Sequence, residues 1–376
     1  MSMIAGASMV TPDGVLDEGW LEVQDGRIAG LGSGPPPRTP DRDLTGQWLV
    51  PGFVDMHSHG GGGATVMGAD AGQVQTFGAT HRRRGTTTLM ASLVSGPVDQ
   101  LERDVRALAE LAADGLIAGV HLEGPWISAA RKGAHDENVL TAPDPADVRR
   151  LLDAGGGAVR MVTLAPELEH GLDAVRTVAA AGAVAAVGHT DAPYEVVTEA
   201  VQAGATVATH LFNAMTPLHH RSPGPIMALL EDERVTLELI LDGAHLHPAI
   251  AAHVRASAGA ERVALVTDAM EATDVGDGEY VLGGLAVRVQ DGVARLVEGG
   301  SIAGSTLTMD SAFRFAVRHA GFSMVDAVRA TSATPARTLG IGDRVGALKE
   351  GLAADAVVLD ADLQVSAVLA RGEWVA

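Results

Sequence analysis

The chain has 376 residues, 47% of them apolar, and 47 acidic against 27 basic side chains give a formal charge of −20. Such a chain buries a large core, divided into one big domain and a smaller one, and its charge argues against nucleic acid or an anionic membrane as partner. With no cysteine it has no disulfide, thiolate ligand or cysteine nucleophile.

Residues 1–50 read as short strands, with the Asp25-Gly26 turn signal between two apolar runs and a proline-rich loop over 31–44. The opening MSMIAGASMVTPDG lacks a basic stretch ahead of an apolar core, and no long uncharged apolar span follows. The expectation is a cytoplasmic protein.

The stretch PGFVDMHSHGGGG, residues 51–63, begins a new pattern. On an extended strand Asp55, His57 and His59 share a face, so two imidazoles would meet one ion. The four glycines after them allow the chain to turn sharply over a pocket. An H-x-H pair alone is weak evidence, because such pairs also occur on exposed strands.

From residue 53 onward, apolar strand-like runs at 53–57, 86–92, 116–122, 159–164, 183–188, 206–210, 235–241 and 263–267 alternate with helical stretches. Those helices include 98–113, 146–152, 172–181, 192–202 and 248–257. Eight strands separated by helices fit a closed (β/α)8 TIM barrel with its chemistry at the strand C-termini; an open doubly wound sheet is the alternative. A β-hairpin excursion is expected at 271–300, where Gly283-Gly284 and Asp291-Gly292 mark turns. Further helices are expected at 311–319 and 324–330, and from Gly351 the chain is strand-like again. Neither terminal segment can bury a sheet face alone, so residues 1–50 and 343–376 are expected to form one small discontinuous β-sandwich around a catalytic barrel spanning 51–342.

Glu123 follows the third strand, His189 the fifth and Asp268 the eighth, and His210 closes the sixth. In a barrel these positions meet on one rim with His57 and His59, and a carboxylate beside an apolar run is costly to bury unless paired or metal-bound. Taken singly, each has a bland reading as a cap or a satisfied strand-end polar group; taken together they point to a metal centre. His121 is readable either as a ligand or as a partner of one. The two lysines, Lys132 and Lys349, both lie off strand four, so no modified lysine there can bridge two metals. Arg221 is shaped to grip a phosphate bidentately, with a surface salt bridge as the plainer reading, and His135 and His245 could hydrogen-bond a polar substrate.

The segments PGFVDMHSHGGGG, GVHLEGPW, RKGAH, VGHTDA, THLFNAM, LVTDAM and AGSTLTM together resemble the N-acetylglucosamine-6-phosphate deacetylase family of the amidohydrolase superfamily. The resemblance implies metal-dependent hydrolysis of the N-acetyl amide of an amino-sugar phosphate. It implies Glu123, His189 and His210 as metal ligands and Asp268 as the catalytic aspartate, acting as base and then acid. His57 and His59 imply the variant that can hold a second divalent ion, zinc or alternatively iron. His135, Asn213, Ala214, Arg221, His245, Ile302, Ala303 and Gly304 are the implied sugar-phosphate contacts, with Arg221 reaching the neighbouring pocket of a homodimer. Two rival readings are a deaminase or cyclic-amide hydrolase of the same superfamily, and a catalytically silent barrel that only binds.

Overall fold

The computed structural model describes residues 1–375. The two ends of the chain meet in one mixed eight-stranded sheet. Ser2–Thr11 lies at its centre, antiparallel to Gly14–Gln24 and parallel to Trp48–Pro51. Gly14–Gln24 continues through the Asp25-Gly26 turn into Arg27–Ser33. On the other side Trp48–Pro51 pairs with Ala356–Leu359, which returns as Val365–Ala370. The sheet wraps a core of its own that includes Ile4, Met9, Leu21, Ile28, Leu49, Leu348, Val358 and Leu369. Pairing the termini buries apolar faces that neither could cover alone.

The barrel begins at Phe53–Asp55, which runs parallel to Thr86–Leu89. Ala91–Leu93 continues that second strand and opens a seven-stranded parallel ladder through Val120–Glu123, Val159–Leu164, Val184–Val187, Ala205–Ala208, Thr236–Leu239 and Val263–Leu265. The ring closes where the Asp268 N–H donates to the His57 carbonyl at 2.9 Å and Ser58 bridges Ala269. These strands are buried nearly end to end, as expected of a parallel sheet covered by helices.

Several strands differ in their bounds from the sequence reading; the sixth, seventh and eighth each end two residues early. The first ends at Asp55 rather than at 57, and the second is interrupted at Met90, between the part that pairs with Phe53–Asp55 and the part that pairs with Val120–Glu123. The third begins only at Val120, since the chain before it turns through Gly119 at φ +154°. Of the helices, Val98–Ala113 falls where the pattern places it, whereas Ala71–Arg83 and Gly224–Glu231 carry weaker signals. The excursion contains a three-stranded antiparallel sheet, Gly278–Leu282, Leu285–Gln290 and Val293–Leu296, one strand more than a hairpin. Val287, Val289 and Ala294 pack with Met270 and Val94, so the sheet lies against the C-terminal mouth of the barrel.

Candidate metal centre

Each barrel strand that carries a polar terminus hands it to the same mouth. His189, His210 and Asp268 come directly after strands five, six and eight, and all three adopt positive φ, of 47°, 27° and 50°. A non-glycine residue in the left-handed region costs about 1–3 kcal/mol, which the surrounding packing must offset. The turn at that residue takes the backbone away while the side chain stays over the barrel axis.

Two clusters of donor atoms share Glu123. In one, Glu123 Oε1 stands 3.2 Å from His189 Nε2 and 3.0 Å from His210 Nε2, and the two nitrogens are 3.0 Å apart. In the other, His57 Nε2 and His59 Nε2 are 3.1 Å apart, 3.4 Å from Glu123 Oε1 and 3.2 Å from Glu123 Oε2 respectively. Both sets are buried and have the make-up of a metal-binding group. Tetrahedral ligands at zinc-like bond lengths of about 2.1 Å stand about 3.4 Å from one another.

Three of the four opposite ring nitrogens are committed, while His210 Nδ1 is buried without a hydrogen-bond partner among the described residues. His59 Nδ1 donates to the Ser92 carbonyl at 2.8 Å, and His189 Nδ1 donates to the Arg131 carbonyl at 2.9 Å. His57 Nδ1 faces Glu238 Oε2 at 3.2 Å. In the neutral rings of His57, His59 and His189 these bonds leave Nε2 bare, so the His57 and His59 lone pairs face each other at 3.1 Å and the His189 lone pair faces Glu123 Oε1 at 3.2 Å, each needing a proton or a cation between them. That donor set fits a divalent cation.

Electrostatics follow the same geometry. Burial pushes the Asp268 carboxyl up, but the His57 charge and the His59 hydrogen bond outweigh it and bring it to about 2. Burial pulls His59 down, yet its hydrogen bonds to Asp268 and Glu123 hold it at about 9. Asp268 Oδ1 lies 3.1 Å from His59 Nε2 and 3.6 Å from His57 Nε2, within reach of anything bound between them.

A cavity of about 390 Å³ opens over the clusters, lined by His135, Asn213, Ala214, His245, Ile302 and Gly304 among others. His135 Nδ1 accepts from the Ser95 N–H at 3.3 Å, which places the ring proton on Nε2, 3.5 Å from Glu123 Oε2. Burial lowers the pKa of this imidazole to about 4, making it a neutral donor. His245 Nδ1 pairs with Asp242 Oδ2 at 2.7 Å, and that partner raises the ring's pKa against the effect of burial. A larger cavity, about 640 Å³, is lined by Arg27, Arg160, Arg371 and the glycines 155–157, and shares no residue with the clusters.

Two candidates stand apart from this cavity. Ala303 is fully buried among the apolar residues that seat the small sheet, although its neighbours Ile302 and Gly304 reach the lining. Arg221 is exposed on its loop, where Nη1 lies 2.8 Å from His220 Nε2. His121 belongs to neither cluster. Its ring sits beneath His57, 4.6 Å between centroids, and links Ser92 Oγ at 3.0 Å to Thr163 Oγ1 at 2.8 Å.

Sequence reasoning passed over Glu238, a fully buried carboxylate on strand seven that meets both His57 Nδ1 and the His210 N–H. Its signal was an acid alternating with leucines in TLEL. The Ser92 and Arg131 carbonyls had no signal, because any residue type supplies a backbone oxygen.

Residues 48–375 match the model of the Amidohydrolase family. The chain is 36% identical over 370 residues to an N-acetylgalactosamine-6-phosphate deacetylase of Escherichia coli O157:H7, covering 97% of each protein. It is 33% identical over 380 residues to an N-acetylglucosamine-6-phosphate deacetylase of Bacillus subtilis, covering 98% of this chain and 96% of that one. A solved mutant of N-acetyl-D-glucosamine-6-phosphate deacetylase from Mycobacterium smegmatis, in complex with N-acetyl-D-glucosamine-6-phosphate, superposes with a TM-score of 0.97 at 48% identity, covering 100% of this chain and 99% of that one. The match over most of the chain, together with the convergent His and Glu donors at the barrel mouth, places this protein in the amidohydrolase family.

Proposed function

We propose that this protein hydrolyses the N-acetyl amide of N-acetyl-D-glucosamine 6-phosphate, giving D-glucosamine 6-phosphate and acetate. The observation that carries the reading is the convergence of Glu123, His189 and His210 beside Asp268 under a cavity of about 390 Å³, on a fold shared with the mycobacterial enzyme. Glu123, His189 and His210 would hold one divalent cation, and His57 and His59, sharing Glu123, a second; zinc is favoured by the nitrogen-rich set and iron is the alternative. Such an ion supplies Lewis-acid polarisation of the amide oxygen and lowers the pKa of water from about 15.7 towards 7.

The protein's own groups do the rest. Asp268, held as a carboxylate, accepts a proton from the water that attacks the acetyl carbon and returns it to the sugar nitrogen as the C–N bond breaks. His245, its ring held by Asp242, is placed to donate a hydrogen bond to the amide oxygen. Nε2 of His135 carries the proton that a sugar oxygen can accept. The backbone around Asn213 and Ala214 and the stretch from Ile302 to Gly304 contact the sugar phosphate, and Arg221 grips the phosphate in the pocket of a second subunit of a cytoplasmic homodimer.

The E. coli relative is named for the galactosamine epimer, so specificity at the sugar's C4 carbon is the point on which a second reading stands. Acetate release is measured on both N-acetylhexosamine 6-phosphates, with cation content determined on the same sample. Faster turnover of the galactosamine epimer replaces the substrate; acetate from neither, or ammonia from a nucleobase instead, removes the deacetylase reading.

A further inference from the structure

Glu238 is a buried acid beside the donor clusters that neither the clusters nor the proposed proton transfers use. It sits on Thr236–Leu239, where its side chain has no exposed surface. Oε2 faces His57 Nδ1 at 3.2 Å and accepts from the His210 backbone N–H at 3.1 Å, while Oε1 is buried with no hydrogen-bond partner among the described residues. A carboxylate so enclosed is costly, and two hydrogen bonds are a thin return for it unless positive charge lies close by. The atoms it meets belong to the two histidines that end strands one and six, one from each cluster.

We infer that Glu238 is a positioning residue that sets which nitrogen His57 offers to a cation and ties the first-strand half of the centre to the His210 turn. With a carboxylate oxygen facing Nδ1, the His57 proton is held there and Nε2 is presented toward His59 and Glu123. Removing the acceptor frees the ring to take the other tautomer, which would turn an N–H on the shared space instead of a lone pair. The same oxygen fixes the backbone of His210, whose positive φ of 27° needs support. This inference rests on the reading of the clusters as a divalent-cation site.

Cation-free protein is titrated with cobalt(II), following its visible absorption, for the unmodified chain, Glu238→Gln and Glu238→Leu, and melting temperatures are recorded with and without the ion. Partners of metal-binding histidines typically change affinity by about 10- to 100-fold when removed. Glu238→Leu, which removes the acceptor, is expected to weaken the most loosely held ion by about 10-fold or more, with altered cobalt absorption; Glu238→Gln, which keeps the shape and one acceptor oxygen, should weaken it less. Affinities and spectra that match the unmodified chain in Glu238→Leu overturn the inference, even if melting temperatures fall, because that outcome makes Glu238 a packing residue alone. An unmodified chain that takes up no cobalt overturns the cation site itself.

Discussion

Asp268 meets two demands at once: its backbone N–H donates to the His57 carbonyl and closes the barrel, while its carboxylate reaches His59 Nε2 at 3.1 Å. Asp268→Asn keeps the shape and the backbone bond but removes the proton acceptor. General acid–base contributions of this kind are worth about 10²- to 10⁴-fold. The variant is expected to lose kcat on that scale with unchanged cation content and circular dichroism, and near-normal kcat would refute the acid/base role. His59 yields a pH prediction at the same scale. In the cation-free protein its pKa stands at about 9, raised from 6.5 by hydrogen bonds to Asp268 and Glu123 that overcome burial. A raised imidazole contributes stability that is full below the unfolded value and lost as pH rises through the folded one, on the order of 3 kcal/mol here. Calorimetry should therefore find the cation-free protein less stable at pH 9.5 or so than near pH 6.5. Because the proton and the cation compete for one nitrogen, cation affinity should rise over the same window.

The elements that aim these residues differ in how openly the sequence declares them. Val159–Leu164 and Val98–Ala113 were readable to the residue, one as an apolar-rich run between three glycines and Ala165-Pro166, the other as an amphipathic repeat. Strand ends were harder, because pairing between neighbouring strands decides them: at Met90 the second strand changes its pairing partner from Phe53–Asp55 to Val120–Glu123, a change no hydrophobic pattern records. Gly224–Glu231, apolar over most of its surface, hid its helical period. The site's long-range partners were legible where a strand led into His, Glu or Asp, were missed at Glu238 within its strand, and were illegible where a backbone carbonyl finished the job. Gly124, just after Glu123, illustrates an element-level dependence. Its φ is +79°, and a Cβ there would lie 2.2 Å from Ser95 Oγ, the hydroxyl that faces His135 Nδ1 at 2.8 Å. Gly124→Ala should cost about 1–3 kcal/mol through the left-handed strain alone. It should also displace Ser95 and raise KM for the sugar phosphate, an effect that Ser95→Ala should partly reproduce without the loss in melting temperature.

For the whole molecule, a formal charge of −20 opposes an anionic substrate, so cationic groups must be brought locally to its phosphate. Within one chain Arg221 does not supply that charge: it is exposed beside His220 and is absent from the lining of the cavity. If it acts instead across a dimer, each pocket is built from two chains, Asp268 from one and Arg221 from the other. The division can be tested by mixing variants. Arg221→Ala alone should raise KM for the phosphorylated sugar far more than it lowers kcat, and should spare the unphosphorylated sugar, since the guanidinium positions the substrate and is remote from the breaking bond. Asp268→Asn alone should be nearly inactive. In a mixed dimer of the two, the chain carrying Arg221→Ala keeps its Asp268 and receives Arg221 from the other chain, so one of the two pockets is complete. Co-expression should then give a component with the unmodified KM, carrying about half of the unmodified kcat for each mixed dimer, by counting competent pockets. An arginine acting within its own chain predicts no such rescue, because neither chain then carries both groups; activity of the mixture equal to the mean of the two variants would place the phosphate grip elsewhere.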